Sequence, residues 1–260
     1  MNNIKYKNNL LDFLNQYKIN KRINSVNTKQ KFNNRLLQSE CYNPDLEDCE
    51  NLYNTVIKSR RLCILEFGSG WSTLVLAKAL YDLKKKYFNT VKKLRKQDIF
   101  CLYFVETSEK WRKNTIARIP NFIKKEIKIV SIVSKVVMSK YKGRICTEFK
   151  KLPNCNPDFI YIDGPHIKDI KGSISNINFA KNNDFTPMIS DLLMIENIFI
   201  PGTMIYLDGR LNNFLFLKNN FQRNWVSKYF KNKDISIFKL NDFSLGIHNN
   251  KILKFYKNGK

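Results

Sequence analysis

Leu62-Cys63-Ile64-Leu65-Glu66-Phe67-Gly68-Ser69-Gly70-Trp71-Ser72-Thr73 is an apolar run that ends in an acid and a paired-glycine turn. Leu62 to Leu65 suit a strand buried on both faces. Gly68 and Gly70 permit the tight turn and the close backbone approach that a bound ligand requires. The segment that follows, Ser72 to Leu80, reads as a helix whose first N–H groups lack partners within the helix. Glu66 stands where a carboxylate would meet a cationic or hydroxyl-bearing cofactor. A dinucleotide fingerprint needs a third glycine where this chain has Thr73, so a nicotinamide-type site is not signalled.

Three further apolar runs end in polar residues. Cys101 to Val105 ends at Glu106, Asp158 to Ile162 ends at Asp163-Gly164-Pro165-His166, and Thr203 to Leu207 ends at Asp208-Gly209-Arg210. Strand ends of this kind converge on one crevice in an open parallel sheet. Between them, Ser108 to Ile119 reads as a helix stopped by Pro120, and Ile127 to Val137 as a strand. Repeated strand–helix units predict an α/β fold with a doubly wound, mostly parallel sheet. Pro44 to Arg60 reads as a helix begun near Asp45, and Ile167 to Phe185 as a loop over the strand ends. Pro187 to Ile195 and Asn212 to Asn220 read as helices, and Asn224 to Phe230 and Ile235 to Leu240 as a closing strand pair.

On these residues the chain resembles the class I S-adenosylmethionine-dependent methyltransferases. E-F-G-S-G-W-S is similar to that family's first motif, Glu106 to the acid ending its second strand, and D-F-I-Y-I-D-G-P-H to its fourth-strand motif. The resemblance spans roughly Leu62 to Leu245. It implies a Rossmann-like methyltransferase fold and S-adenosyl-L-methionine held by Glu66, Gly68, Ser69, Gly70, Ser72, Glu106 and Asp163, with Glu106 on the ribose hydroxyls. It also suggests metal-dependent O-methyltransferases, in which Asp163 and Asp208 would hold Mg2+. The residue beside the fifth-strand acid, Asn or Asp in that family, is Gly209 here, leaving Asn212 or Asn213 as substitutes.

Methyl transfer to a hydroxyl needs a nucleophile held in line and a group that takes its proton. Asp163, His166 and Arg210 are the candidate catalytic residues. His166 is a general base or else a loop histidine bound to backbone; Arg210 is an anion clamp or else an ion-pair partner of Asp163 or Asp208. His248, near the end, reads as a surface residue. The favoured function is methylation of a sugar, glycan or other small hydroxylated metabolite. RNA methylation and a basic, non-catalytic binding protein of the same fold are the alternatives.

The chain has 260 residues, a net charge of +24, 43% hydrophobic and 13% aromatic residues. That composition supports a packed core. The charge raises nucleic acid as a partner, but lysine and asparagine recur throughout, so a solvated basic surface is favoured over a dedicated groove. Anionic acceptors such as phosphorylated sugars remain compatible with it. No N-P-P-Y-type amino-methylation motif follows the fourth strand. Six cysteines show no metal-ligand spacing, and Cys63 and Cys101 read as small core residues. No apolar run approaches the roughly 20 residues of a membrane span, and no signal-peptide core is seen, so the cytoplasm is expected. Residues 1–43 read as a basic extension or lid carrying a short amphipathic helix at Leu10, Leu11, Phe13, Leu14 and Tyr17, with 44–260 as one methyltransferase domain. Oligomeric state is not signalled.

Overall fold

The computed structural model describes residues 10, 12–14 and 45–259. The extension or lid expected over 1–43 lies outside the described residues, apart from Leu10, Asp12, Phe13 and Leu14. Those four are helical, and Leu10, Phe13 and Leu14 are buried in the core.

Helix α1 (Leu46–Ser59) is capped by the Asp45 carboxylate, which accepts from the Glu47 backbone N–H at 2.8 Å. It leads into β1 (Cys63–Phe67), α2 (Trp71–Val91), β2 (Cys101–Glu106), α3 (Glu109–Arg118), α4 (Asn121–Glu126) and β3 (Lys128–Val133). After an inserted hairpin come β6 (Phe159–Ile162), β8 (Met204–Asp208), α6 (Leu211–Lys218), β9 (Trp225–Phe230), β10 (Ile235–Leu240) and α7 (Gly246–Asn258). The seven-stranded sheet runs β3-β2-β1-β6-β8-β10-β9. β3, β2, β1, β6 and β8 are parallel, and β10 pairs antiparallel with β8 and β9. This is the expected doubly wound, mostly parallel, Rossmann-like sheet. Its order reverses between β1 and β6, and ligands bind at such a point.

Alternate residues of the buried strands serve two cores. Ile64, Leu102, Phe159 and Tyr206 pack with α1, α2 and α7, whereas Leu65, Tyr103, Ile160 and Leu207 pack on the opposite face. Cys63 and Cys101 are buried among them, as expected. Among the described residues, no helix is long and apolar enough to cross a membrane.

Four expectations need correction. The β-branched run Ile127 to Val137 is two strands, because Ser134 turns the chain: its backbone N–H donates to Glu106 O at 2.9 Å and its hydroxyl accepts from the Lys151 N–H at 2.8 Å. β4 (Val136–Tyr141) and β5 (Arg144–Phe149) then form a hairpin over Lys142 and Gly143, both at positive φ. With β7 (Ile170–Lys171), which lies inside the stretch Ile167 to Phe185 expected to be loop, they make a second sheet, ordered β5-β4-β7. Phe149 rests against Phe67, ring centroids 5.6 Å apart. The helix expected over Pro187 to Ile195 is only α5 (Asp191–Met194), since Thr147 bonds Met188 O and Ser190 N and draws that chain alongside β5. The last correction is α7, which was not anticipated; its Phe255 and Tyr256 are buried.

At the amino ends of β1 and β6 the buried Asp158 carboxylate accepts from the backbone N–H of Leu62 (2.9 Å) and Cys63 (3.2 Å) and from Tyr256 Oη (2.8 Å), with Lys96 Nζ at 3.3 Å. Asp158→Ala leaves two buried N–H groups and a nearly buried ammonium unpaired. It should cost about 3–5 kcal/mol, read as a lower midpoint in urea without loss of cooperativity.

Candidate functional site

The turn after β1 is built on a backbone contact. Gly68 adopts φ +95°, and a Cβ there would lie 2.9 Å from Gly164 N; a Cβ on Gly164 would lie 2.7 Å from Gly68 Cα. Phe67 O accepts from both Gly164 N (2.6 Å) and Asp163 N (3.2 Å), and Gly68 N donates to Val105 O (2.9 Å). The G-S-G turn, the end of β2 and the D-G-P-H turn are thereby brought together at the switch point. Gly70 differs: its backbone is extended, and a Cβ would meet nothing within 4 Å.

Glu106 is nearly buried and well supplied with donors. Its Oε2 accepts from Ser69 Oγ (2.7 Å), and its Oε1 from the backbone N–H of Thr107 (2.7 Å) and Ser108 (3.2 Å) and from Thr107 Oγ1 (3.0 Å). Thr115 Oγ1 donates to Ser69 Oγ at 3.3 Å. The Thr107 hydroxyl also donates to Asp169 Oδ2 at 2.7 Å. Sequence reasoning missed Thr107 and Asp169, since neither ends a strand or belongs to a motif.

Glu66 does not meet the crevice as expected. It shares strand parity with Ile64, so its side chain turns under the start of α2 and has no exposed surface. Ser72 Oγ donates to its Oε1 at 2.5 Å, while Oε2 has no hydrogen-bond partner. Burial pushes its carboxyl up to about 8, against the Ser72 and Thr73 hydroxyls that favour the ionised form. Ser72 is thus committed to Glu66, and Thr73 Oγ1 accepts from Gly70 N at 3.0 Å.

Asp163 keeps open surface toward the crevice although protein groups crowd its other sides; that crowding raises its carboxyl above the ordinary range, and the Arg210 guanidinium opposes the rise. Arg210 forms neither expected partnership as a direct contact: its Nη2 donates to the backbone carbonyls of Asp163 and Pro165, tying the end of β8 to the turn after β6. Asp208, half-buried at the end of β8, is pushed up to about 7 by burial first, then by the charges of Asp48, Asp163 and Asp234. Tyr161 Oη donates to Asp208 Oδ2 at 3.1 Å and favours the ionised form.

His166 is exposed, and its Nδ1 accepts from the Lys168 backbone N–H at 3.3 Å. That bond puts the proton of the neutral ring on Nε2, so the outward nitrogen is a donor rather than a base. His248 is exposed in the first turn of α7, as expected.

The residues present do not fit a metal centre. Among the described residues, no three His, Cys, Asp or Glu side chains assemble to hold an ion. Asn213 is buried and pairs with Ile189 through both Oδ1 and Nδ2 (3.3 Å each), and Asn212 Nδ2 donates to Thr186 Oγ1 (3.3 Å), so neither supplies the missing ligand. S-adenosyl-L-methionine is better matched, by the open space at Gly70 and the Glu106 carboxylate.

No protein-family model matches the chain, and no curated protein matches it by sequence. Among solved structures it is similar to the O-methyltransferase TomG from Streptomyces achromogenes in complex with SAM, at 11% identity and TM-score 0.40 over 76% of this chain and 82% of that one. It is also similar to the SAH-bound Podospora anserina methyltransferase PaMTH1, at 13% and 0.44 over 83% and 85%. A third is the O-methyltransferase from Bacillus cereus in complex with SAH, at 14% and 0.39 over 80% and 86%.

Two outcomes test this geometry. Gly68→Ala forces a Cβ into Gly164 at positive φ and should cost about 1–3 kcal/mol, whereas Gly70→Val should leave the thermal midpoint nearly unchanged and abolish binding of S-adenosylhomocysteine in calorimetry. Glu66 has a raised folded-state pKa, so its contribution to stability is complete below its ordinary 4.5 and is lost as pH rises through about 8. Glu66→Gln should remove that decline, on the order of a few kcal/mol, in midpoints measured from pH 4 to pH 9.

Proposed function

We propose that this protein is an S-adenosyl-L-methionine-dependent methyltransferase acting on a hydroxyl of a sugar, glycan or other small hydroxylated metabolite. The observation that supports this reading is the arrangement at the switch point: Gly70 leaves open space next to Ser69, which bonds Glu106, while Asp163 and Asp208 end β6 and β8 close enough to act on each other electrostatically. In this reading residues 44–260 form the methyltransferase domain and 1–43 an extension to it.

When bound, the cofactor supplies an electrophilic methyl group on a sulfonium. Ser69 and Glu106 orient the ribose, and the Gly68–Gly70 turn accommodates the amino-acid end. Asp163 would supply negative charge to a cationic cofactor. Glu66 acts from beneath, holding Ser72 and with it the start of α2. Asp208 would take the proton of the acceptor hydroxyl that receives the methyl group. With a pKa of about 7, Asp208 combines a useful ionised fraction at neutral pH with enough basicity to take a proton. His166, with Nδ1 engaged, is a hydrogen-bond donor to the acceptor through Nε2. Arg210 fixes the relative position of the two acid-bearing strand ends.

The crevice favours a neutral or cationic acceptor over an anionic one. Asp48, Asp163, Asp208 and Asp234 act on one another electrostatically around it, despite the net charge of +24 for the whole chain. Phosphate-bearing acceptors and RNA would meet repulsion at the site of chemistry even if the basic exterior attracted them. This ranks a polyhydroxylated small molecule above both alternatives and drops phosphorylated sugars from those considered.

Turnover with labelled cofactor across a panel of sugars and hydroxylated metabolites is the direct test. Once an acceptor is found, kcat/KM should rise with pH through about 7. Asp208→Asn should lower kcat by roughly 10²–10⁴-fold and remove that limb, whereas His166→Ala should cost less than about tenfold. Binding of a nicotinamide dinucleotide without S-adenosyl-L-methionine would overturn the reading.

A further inference from the structure

The pole of the sheet opposite the crevice carries a group of exposed apolar side chains. β10 runs antiparallel to β8, so the chain leaves β10 beside the amino end of β8: Leu240 N donates to Thr203 O at 2.9 Å and Gly202 N to Leu240 O at 2.8 Å. The connection from there to α7 exposes Phe243 at 97%, Leu245 at 64% and Ile247 at 67%. Two more exposed apolar side chains lie beside it. Val226 opposes Lys239 on the β9–β10 pair. Ile198 belongs to a turn that Arg223 ties to the connection, since Arg223 Nη1 donates to Glu196 O (2.9 Å) and Phe199 O (2.6 Å) and its Nε to Asp242 Oδ2 (2.8 Å). Apolar residues exposed singly are ordinary, whereas a group of them marks a contact surface.

The charge around this surface has one sign. From Phe243 to Asn258 the sequence has no acid, and Lys251, Lys254 and Lys257 are exposed on α7, whose other face buries Ile252, Phe255 and Tyr256. Asp242, which begins the connection, is engaged by Arg223. Lys239 is held below the ordinary ammonium range by burial first and then by the charges of Arg61 and Lys257, so positive charge here is crowded. A two-fold pairing of two copies through this surface would set the lysines against themselves. Phe243 stands almost clear of the fold, and Ser244 and Gly246 separate it from Leu245 and Ile247. Projecting side chains of this kind suit a medium that closes around them without a matching pocket. The hydrocarbon boundary of a bilayer does so, and anionic headgroups would meet the lysines.

We propose that this pole is a peripheral docking surface for an anionic lipid bilayer, with Phe243, Leu245 and Ile247 entering the interface and Lys251, Lys254 and Lys257 meeting the headgroups. Apolar insertion or attraction to negative lipid alone gives weak adsorption, and the two together give firmer, still reversible binding. The crevice lies at the other ends of the same strands, roughly 17 Å away along the length of β8. A chain docked in this way keeps the crevice turned to the aqueous side. The inference does not depend on the reaction assigned to that crevice.

Sedimentation of the full chain with lipid vesicles tests this. The chain should bind phosphatidylcholine vesicles containing about 30% phosphatidylserine at least about tenfold more strongly than vesicles of phosphatidylcholine alone, and the preference should shrink as salt rises. The triple variant Phe243→Ser, Leu245→Ser, Ile247→Ser should keep the thermal midpoint of the unaltered chain, because these side chains are exposed, and should bind the anionic vesicles at least about tenfold more weakly. Lys251→Glu with Lys254→Glu should abolish the anionic preference, whereas Lys124→Glu with Lys125→Glu, on α4, should change it less than about threefold. In Phe243→Trp, emission should move to shorter wavelength on the anionic vesicles and be quenched by lipids brominated in their acyl chains. Failure of the intact chain to bind the anionic vesicles would overturn the proposal. So would binding that the triple variant retains in full, which would assign it to diffuse charge. Self-association in solution that the triple variant abolishes, with no vesicle binding, would make the surface an interface between copies and the bilayer reading wrong.

Discussion

Gly68 and Gly164 touch backbone to backbone where β1 and β6 end, and the site depends on this contact. No side chain could separate them without moving one strand end, since the added carbon would fall within 3 Å of the neighbouring main chain. The same two strands are joined at their other ends by Asp158, which accepts from Leu62 and Cys63 of the β1 segment and carries Tyr256 and Lys96 as well. β1 and β6 thus form a rigid pair fixed at both ends. Everything assigned to cofactor or acceptor is placed by reference to it: Ser69 and Glu106 on the β2 side, Asp163 and Asp208 on the other.

Burial rather than direct pairing sets the electrostatics of the crevice. Glu66, Asp163 and Asp208 are each raised above the ordinary carboxyl range, with desolvation as the leading cause, and the neighbouring acids reinforce one another. Arg210 relieves this only in part because its Nη2 donates to main-chain carbonyls. A region so short of positive charge is costly to maintain without a ligand. A cationic sulfonium would lower the pKa values of the acids around it, and Asp208 would become more fully ionised as the cofactor binds. Cofactor occupancy and base activation would then be linked through one field.

The sequence made the parallel core legible because its signals are local. An apolar run such as Leu62 to Leu65 ending in Glu66 and a glycine pair leaves few readings, and the equivalent runs at Cys101, Asp158 and Thr203 repeat the pattern. The small sheet was hidden because β4 continues the β-branched composition of β3, and the turn between them depends on hydrogen bonds from Ser134 to residues far along the chain. α5 was overread for a related reason: Pro187 to Ser190 is apolar enough for a helix, but its backbone is used by Thr147. At the site, residue types at strand ends were readable, whereas the direction of each side chain was not. Glu66 lies under the turn through strand parity, and His166 gives up Nδ1 to its own loop; neither outcome is encoded in a motif.

Asp169 shows how the hidden part of the fold and the hidden part of the site share a cause. Its position beside Thr107 follows from β7, which pairs with the edge that β4 leaves opposite β5. Without the inserted hairpin, the chain after His166 would have no strand to pair with and no reason to return toward β2. The strand ends supply the acids that a parallel sheet presents by default, while the insertion adds one that the core topology alone does not reach. Changes to the β4–β5 hairpin would therefore shift this loop without disturbing the parallel sheet, since β7 pairs with β4 and not with the core strands.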